Sequence, residues 1–214
     1  MRNISPSLIA ADFTKLEHEV KSVEDLGMTR LHLDIMDGNF VPNITFGPFV
    51  VEAIRKMTNL HLECHLMINN PGQYLDEFIS AGGDTIIVHL ENNEHVVENL
   101  TAIREKGVKS GVAFNPDTSI QKVKELLPLT DFVLIMSVFP GFCGQSFIES
   151  TYDSMDMLVS EKDNFEELVV GVDGGVNVKT INSVFSTGID VGIVGSGFFG
   201  AEDKTERFKE LQNA

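Results

Sequence analysis

Residues 30–47 read RLHLDIMDGNFVPNITFG, and this stretch decides the fold. Leu31 to Met36 has the composition of a strand, and the loop after it holds Gly38, Pro42 and Gly47. Alternate residues of a strand point to alternate faces. Leu31, Leu33 and Ile35 therefore share one face, and His32, Asp34 and Met36 share the other. A half-buried strand ordinarily turns its apolar face inward and its polar face to water. Here the polar face is turned toward something inside the protein. The His-x-Asp pair alone fits metal ligation, acid/base chemistry or a structural hydrogen bond.

Leu60 to Met67, LHLECHLM, repeats the pattern, with His61, Glu63, His65 and Met67 on one face and Leu62, Cys64 and Leu66 on the other. Six further strands are expected at Ile4–Ile9, Thr85–Val88, Val108–Phe114, Phe132–Val138, Leu168–Val172 and Val191–Val194. Between them lie stretches of helical period. These are Thr14–Leu26, a helix with Pro48 at its first position, one opened by Pro71 and ending near Gly82, Glu94–Lys106, Thr118–Leu126, Ser146–Lys162, Val178–Phe185 and Lys204–Leu211. Near-continuous apolar strands alternating with amphipathic helices make a buried parallel sheet. Eight such units in one unbroken chain of 214 residues predict a single-domain α/β protein spanning residues 1–214, a (β/α)8 TIM barrel. An open doubly wound sheet would carry GxGxxG after the first strand, and none stands there.

A chain that is 43% hydrophobic and 22% charged can bury a substantial core. Its formal net charge of −16 argues against nucleic acid and anionic membrane surfaces. An anionic small molecule remains open to it, because backbone N–H groups can hold phosphate inside an acidic protein. Two cysteines without a CxxC, no signal-like N-terminus and no membrane-length apolar run make a cytoplasmic protein the expectation.

Active sites of such barrels lie at the C-terminal ends of the strands. Ser7, His32, Asp34, His65 and Asp173 fall at those ends. His32, Asp34, His65 and Asp173 form a four-ligand set for one divalent metal ion. Zinc suits this N/O mixture, and Mn(II) or Fe(II) also fit. The alternative is a hydrogen-bonded polar plug. Glycine loops follow strands six, seven and eight, at Gly141-Phe142-Cys143-Gly144, Gly174-Gly175 and Gly195-Ser196-Gly197, and read as a phosphate cradle or as helix-leading turns. Met36, Met67 and Met136 suggest an apolar lid over the site. Cys64 is expected to pack toward the helices, Asp37 to cap its loop, and His61 to sit at the barrel bottom. His89 closes the fourth strand and could touch the site, but is left out of the candidate ligands.

Together these residues resemble the ribulose-phosphate 3-epimerase family. The matching segments are SPSLIAADF (5–13), HLDIMDGNFVPNITFG (32–47), CHLM (64–67), MSVFPGFCGQSFI (136–148), VDGG (172–175) and VGSGFFG (194–200). The resemblance implies a ribulose-phosphate-binding TIM barrel that interconverts D-ribulose 5-phosphate and D-xylulose 5-phosphate of the pentose phosphate pathway. It implies His32, Asp34, His65 and Asp173 as metal ligands and Asp34 and Asp173 as the acid/base pair. Ser7 and His65 would contact the sugar. Gly141, Phe142, Cys143, Gly144, Gly174, Gly175, Gly195 and Ser196 would hold the phosphate region. Moving a proton next to a carbonyl needs no nucleotide cofactor. A homo-oligomer is expected from the same resemblance. The strand-six loop departs from the family's usual Asn-Pro-Gly-Phe-Gly-Gly: Phe139 replaces a polar side chain, and Cys143 adds bulk. D-allulose 6-phosphate is therefore an alternative substrate, and an inactive sugar-phosphate-binding protein a third reading. Related decarboxylases and aldolases use Asp-x-Lys on the second strand, where this chain has Met36.

Overall fold

All eight expected strands form, and they follow one another around a closed ring. The computed structural model describes residues 1–91, 93–165 and 167–214. The strands are β1 (Asn3–Pro6), β2 (Arg30–Met36), β3 (His61–Met67), β4 (Thr85–His89), β5 (Lys109–Phe114), β6 (Phe132–Met136), β7 (Val169–Asp173) and β8 (Val191–Val194). Every paired neighbour is parallel, β2 with β3 and onward to β8 with β1. The ring is closed between β1 and β2 by a parallel bridge from Ser7 to His32, at the mouth rather than along the wall.

Helices return the chain between strands: α1 (Leu16–Asp25), α2 (Pro48–Met57), α3 (Leu75–Ser80), α4 (Val96–Glu105), α5 (Ile120–Lys124), α6 (Tyr152–Glu161), α7 (Ile181–Ser186), α8 (Ser196–Phe199) and α9 (Lys204–Asn213). The outward faces of the strands and the inward faces of these helices make the main core. Leu31, Leu33 and Ile35 pack there with Val51 and Ile54, and Cys64 lies in the same layer, as its strand parity requires. Full burial of each such side chain contributes about 1.5–3 kcal/mol. A second core fills the barrel itself: Ile87, Ala113, Phe132, Leu134, Met136, Val191 and Ile193.

Several boundaries differ from the sequence expectation. β1 stops at Pro6, and Leu8–Ala10 turn into a 3-10 helix instead of extending the strand to Ile9. The expected helix at 146–162 starts only at Tyr152. The Ile148 N–H donates to the Ser137 carbonyl (2.8 Å), which keeps residues 145–148 out of the helix, and a 3-10 turn at Glu149–Thr151 leads into it. The helix expected from Val178 starts at Ile181, because Asn177 and Thr180 both donate to the Gly175 carbonyl and form a turn. The four-residue α8, absent from the expectation, follows Gly195 directly.

Candidate active site

Register, not proximity in sequence, assembles the site. In the β2–β3 ladder His32 lies opposite Glu63, and Asp34 opposite His65. Asp173 ends β7, across the mouth, and Ser7 follows β1. His32, Asp34, His65 and Asp173 each offer an atom, and these atoms all lie within 4.8 Å of one another. His65 Nδ1 is 3.1 Å from Asp34 Oδ1 and 3.3 Å from His32 Nε2. His32 Nε2 is 3.5 Å from Asp34 Oδ1, and both ring nitrogens stand 4.0 Å from Asp173 Oδ2. Tetrahedral coordination with arms of ~2.1 Å has edges of ~3.4 Å, so the donor set fits a zinc-sized divalent ion with little movement. The residues expected as ligands are thus brought together, in a buried setting where two carboxylates and two imidazoles favour a cation.

The electrostatics of the metal-free site are steep. Burial opposes ionisation of Asp34, but His32 and His65 outweigh it and hold its carboxyl far below the usual range. Burial also opposes protonation of His32, yet Asp34, Glu63 and Asp173 pull its pKa well above the ordinary value. Burial and the neighbouring Asp34 charge push Asp173 up to about 7. Burial takes His65 down to about 4, with the Asp34 hydrogen bond opposing it. Ser7 Oγ donates to Asp34 Oδ2 (2.5 Å), which fixes that carboxylate's rotation.

Two participants escape a reading of the sequence. Glu63 is fully buried one layer below the mouth. It accepts from His32 Nδ1 (3.1 Å), Ser5 Oγ (2.8 Å) and Arg30 Nη1 (2.7 Å). Those partners overcome the burial that would raise its pKa and keep it low. Its signal is its strand parity with His65, but its partner depends on the register. His89, which the sequence reading left out of the candidate ligands, is 2% exposed, and its Nε2 is 2.9 Å from His65 Nε2. Other expectations hold. Asp37 accepts from the backbone N–H groups of Asn39, Phe40 and Asn69. His61 sits at the start of β3 against Thr85.

Above the cluster lies a cleft of ≈ 240 Å³, a small metabolite's size. Ser7, Asp34 and Asp173 line it beside Met36, Met67 and Met136, so the three methionines do share a level. Its far wall is Gly141, Phe142, Cys143, Gly144, Gly174, Gly175, Gly195 and Ser196, all eight of the loop residues expected there. His32 and His65 lie beneath the floor. Gly174 and Gly175 have φ of +114° and +65°. A Cβ on Gly175 would stand 2.6 Å from the Phe147 nitrogen, so only glycine lets this turn pass under the 145–148 segment. Phe139 is absent from the lining and 50% exposed; of the two departures in its loop, only Cys143 faces the cleft.

Comparison with known proteins completes the picture. The model of the ribulose-phosphate 3 epimerase family matches residues 3–199. The chain belongs to this family. It is 39% identical to the ribulose-phosphate 3-epimerase of Bacillus subtilis, with all of both chains covered. It is 40% identical to that of Aquifex aeolicus, over 100% of this chain and 96% of the relative. It is 43% identical to the chloroplastic ribulose-5-phosphate-3-epimerase of Arabidopsis thaliana, over 98% of this chain and 75% of the relative. The protein is therefore an enzyme of an isomerase family. Solved structures of a tryptophan synthase alpha-subunit from Pyrococcus furiosus and of a 3-hexulose-6-phosphate synthase match with TM-scores of 0.70 at 17% and 18% identity. They cover 99% and 98% of this chain and 98% of each neighbour, and they support the barrel fold alone. Among the described residues no helix is long and apolar enough to cross a membrane.

Proposed function

We propose that the protein epimerises C3 of a ketose phosphate, converting D-ribulose 5-phosphate to D-xylulose 5-phosphate with the help of one divalent metal ion. The observation that carries this reading is the placement of Asp34 and Asp173 on two non-adjacent strands of the ring, both facing one cleft whose far wall is glycine loops. Inversion at C3 requires a proton to leave one face of a flat enediolate and another to arrive on the opposite face. Two carboxylates that reach the cleft from separate strands would meet that requirement, and either can serve as base while the other serves as acid, according to the direction of reaction. His32, Asp34, His65 and Asp173 would hold the metal. When bound, it would supply Lewis-acid stabilisation of the negative charge that develops on the substrate oxygens.

The remaining residues bind and shield. Ser7 orients Asp34 and stands where a sugar hydroxyl would reach it. Gly141 to Gly144, Gly174-Gly175 and Gly195-Ser196 would receive the phosphate, since backbone without side chains can approach the dianion closely. Met36, Met67 and Met136 line the floor with apolar surface and keep water off the enediolate. A cytoplasmic setting and a homo-oligomer belong to this reading too; the free thiols of Cys64 and Cys143 suit a reducing compartment.

The test is proton NMR of D-ribulose 5-phosphate in D2O with purified protein, with and without a chelator. Loss of the C3 proton with growth of the xylulose 5-phosphate signals, stopped by the chelator and restored by zinc, Mn(II) or Fe(II), is expected. Persistence of the C3 proton would overturn the pentulose reading. One observation favours a second substrate: the Cys143 side chain lines the cleft. D-Allulose 6-phosphate is therefore run in the same tube, and silence on both substrates would leave an inactive binder.

A further inference from the structure

His65 is contested by two acceptors. Asp34 Oδ1 lies 3.1 Å from its Nδ1, and His89 Nε2 lies 2.9 Å from its Nε2. A neutral imidazole carries one N–H, so only one of these contacts can be a donation from His65. If the proton sits on Nδ1, that nitrogen has no lone pair to offer a cation. If it sits on Nε2, Nδ1 is free to bind.

The chain behind His89 decides which. His89 Nδ1 lies 2.9 Å from Glu91 Oε2. A carboxylate only accepts, so the His89 proton belongs on Nδ1, and its Nε2 presents a lone pair to His65. Glu91 is itself pinned as an acceptor. Its other oxygen takes the Asn115 backbone N–H (2.8 Å) and the Thr118 hydroxyl. Phe40 packs on the His89 ring at a centroid distance of 4.7 Å and limits its rotation. The His89 side chain is 2% exposed, so water does not substitute for either contact. The same logic appears on the other imidazole in shorter form, where Glu63 accepts directly from His32 Nδ1.

We propose that His89 and Glu91 are positioning residues that act through His65: the carboxylate and the intervening imidazole keep the His65 proton on Nε2, so that Nδ1 turns a lone pair to the cluster formed with His32, Asp34 and Asp173. This rests on the metal-assisted reading above. Neither residue touches the cleft. Second imidazole nitrogens tied to carboxylates are the usual means of orienting metal-binding histidines, and here the tie passes through a second ring.

Glu91→Gln is the sharp test, because it keeps the shape and reverses the donor pattern. With its oxygen on the Asn115 N–H, the new amide presents a donor to His89 Nδ1, and the relay turns around. Zinc affinity is measured by competition against a chelating indicator, with folding checked by circular dichroism. A loss of about 10–100-fold is expected, and an affinity within about threefold of the parent overturns the proposal. In the zinc-loaded parent, 15N–1H correlation of the histidine rings should place the His89 proton on Nδ1; a proton on its Nε2 overturns the proposal equally. Should Glu91→Gln not fold, His89→Gln, whose amide oxygen can still accept, is compared with His89→Leu, which cannot. Tighter zinc binding by the Gln variant is expected, and equal affinities overturn the relay. A parent protein that takes up no zinc, Mn(II) or Fe(II) would sink the metal-assisted reaction itself, a separate outcome from an unaffected Glu91→Gln.

Discussion

Inside β1 to β4 the barrel wall presents Ser5, Ser7, His32, Asp34, Glu63, His65, Thr85 and His89, all buried, with Ile87 the apolar residue among them; inside β5 to β8 it presents Ala113, Phe132, Leu134, Met136, Val191 and Ile193. The first half works through side chains, and Arg30, Glu63, His32, His65, His89 and Glu91 form one chain of contacts through it. The second half is an apolar wall that carries glycine loops on its rim and works through its backbone. Asp173 is the exception, a carboxylate contributed by the apolar half and aimed at the polar one. A buried network is costly when half satisfied, so collecting it on adjacent strands lets every member find a partner. The substrate then lies on the seam, with chemistry on one side and grip on the other.

Asp173→Asn removes the one carboxylate that crosses the seam. The catalysed rate should fall on the order of 10²–10⁴-fold in both directions, with the fold unchanged by circular dichroism, and Asp34→Asn should lose at least as much because Asp34 is also the centre of the network. The NMR assay in D2O checks both. A variant at Asp173 that keeps more than about a tenth of the rate would mean that one wall performs all the proton transfer.

Glu63→Gln disturbs only the polar half. Arg30 bonds one Glu63 oxygen, and Ser5 and His32 share the other; with the new amide oxygen kept on the Arg30 guanidinium, the NH2 can donate to the Ser5 hydroxyl but cannot accept from His32 Nδ1. Metal affinity should drop about 10–100-fold by chelator competition, while affinity for inorganic phosphate in the cleft stays put. If phosphate affinity falls with metal affinity, the two halves are coupled and the division of labour is wrong.

How much of this was readable beforehand follows the same division. The polar faces of β2 and β3 were plain, because period-two alternation puts His32 with Asp34 and Glu63 with His65 whatever the barrel does. What sequence does not contain is register. That His32 meets Glu63 across the ladder, and that His89 reaches His65, depends on how three strands slide against one another. Glu63 and His89 were therefore visible as residues but not as participants. On the glycine side the positions were legible and the paths were not: the non-helical run at 145–148 and the short α8 are set by backbone contacts to Ser137 and by the turn at Gly195.

Gly175→Ala probes the backbone half alone. Its φ of +65° and the 2.6 Å approach to the Phe147 nitrogen force the loop to move. KM should rise by about tenfold or more with metal affinity unchanged, since a shift of about 1 Å in a positioning element is costly. Gly144 is the control. Its φ of +78° is also left-handed, but nothing lies within 4 Å of its Cβ position, so Gly144→Ala should cost only the backbone strain of about 1–2 kcal/mol in urea denaturation.

The smallest effect is expected where the chain departs most visibly from the loop pattern that the family resemblance implies. Phe139 points away from the cleft and is half exposed, and Gln145 Nε2 donates to the Phe139 and Phe142 carbonyls, so the loop's path is held by backbone contacts that neither side chain makes. Phe139→Asn should therefore leave kcat/KM for D-ribulose 5-phosphate within about twofold. Cys143 does line the cleft, and a single side chain of its size at the rim is worth about 1 to 3 kcal/mol of discrimination at most, less where solvent remains on one side. Cys143→Gly should shift the ratio of kcat/KM between D-ribulose 5-phosphate and D-allulose 6-phosphate by less than about tenfold, measured by competition of both substrates in one NMR tube. A larger shift would move substrate choice onto this side chain, and the glycine rim would then be selecting the sugar as well as holding its phosphate.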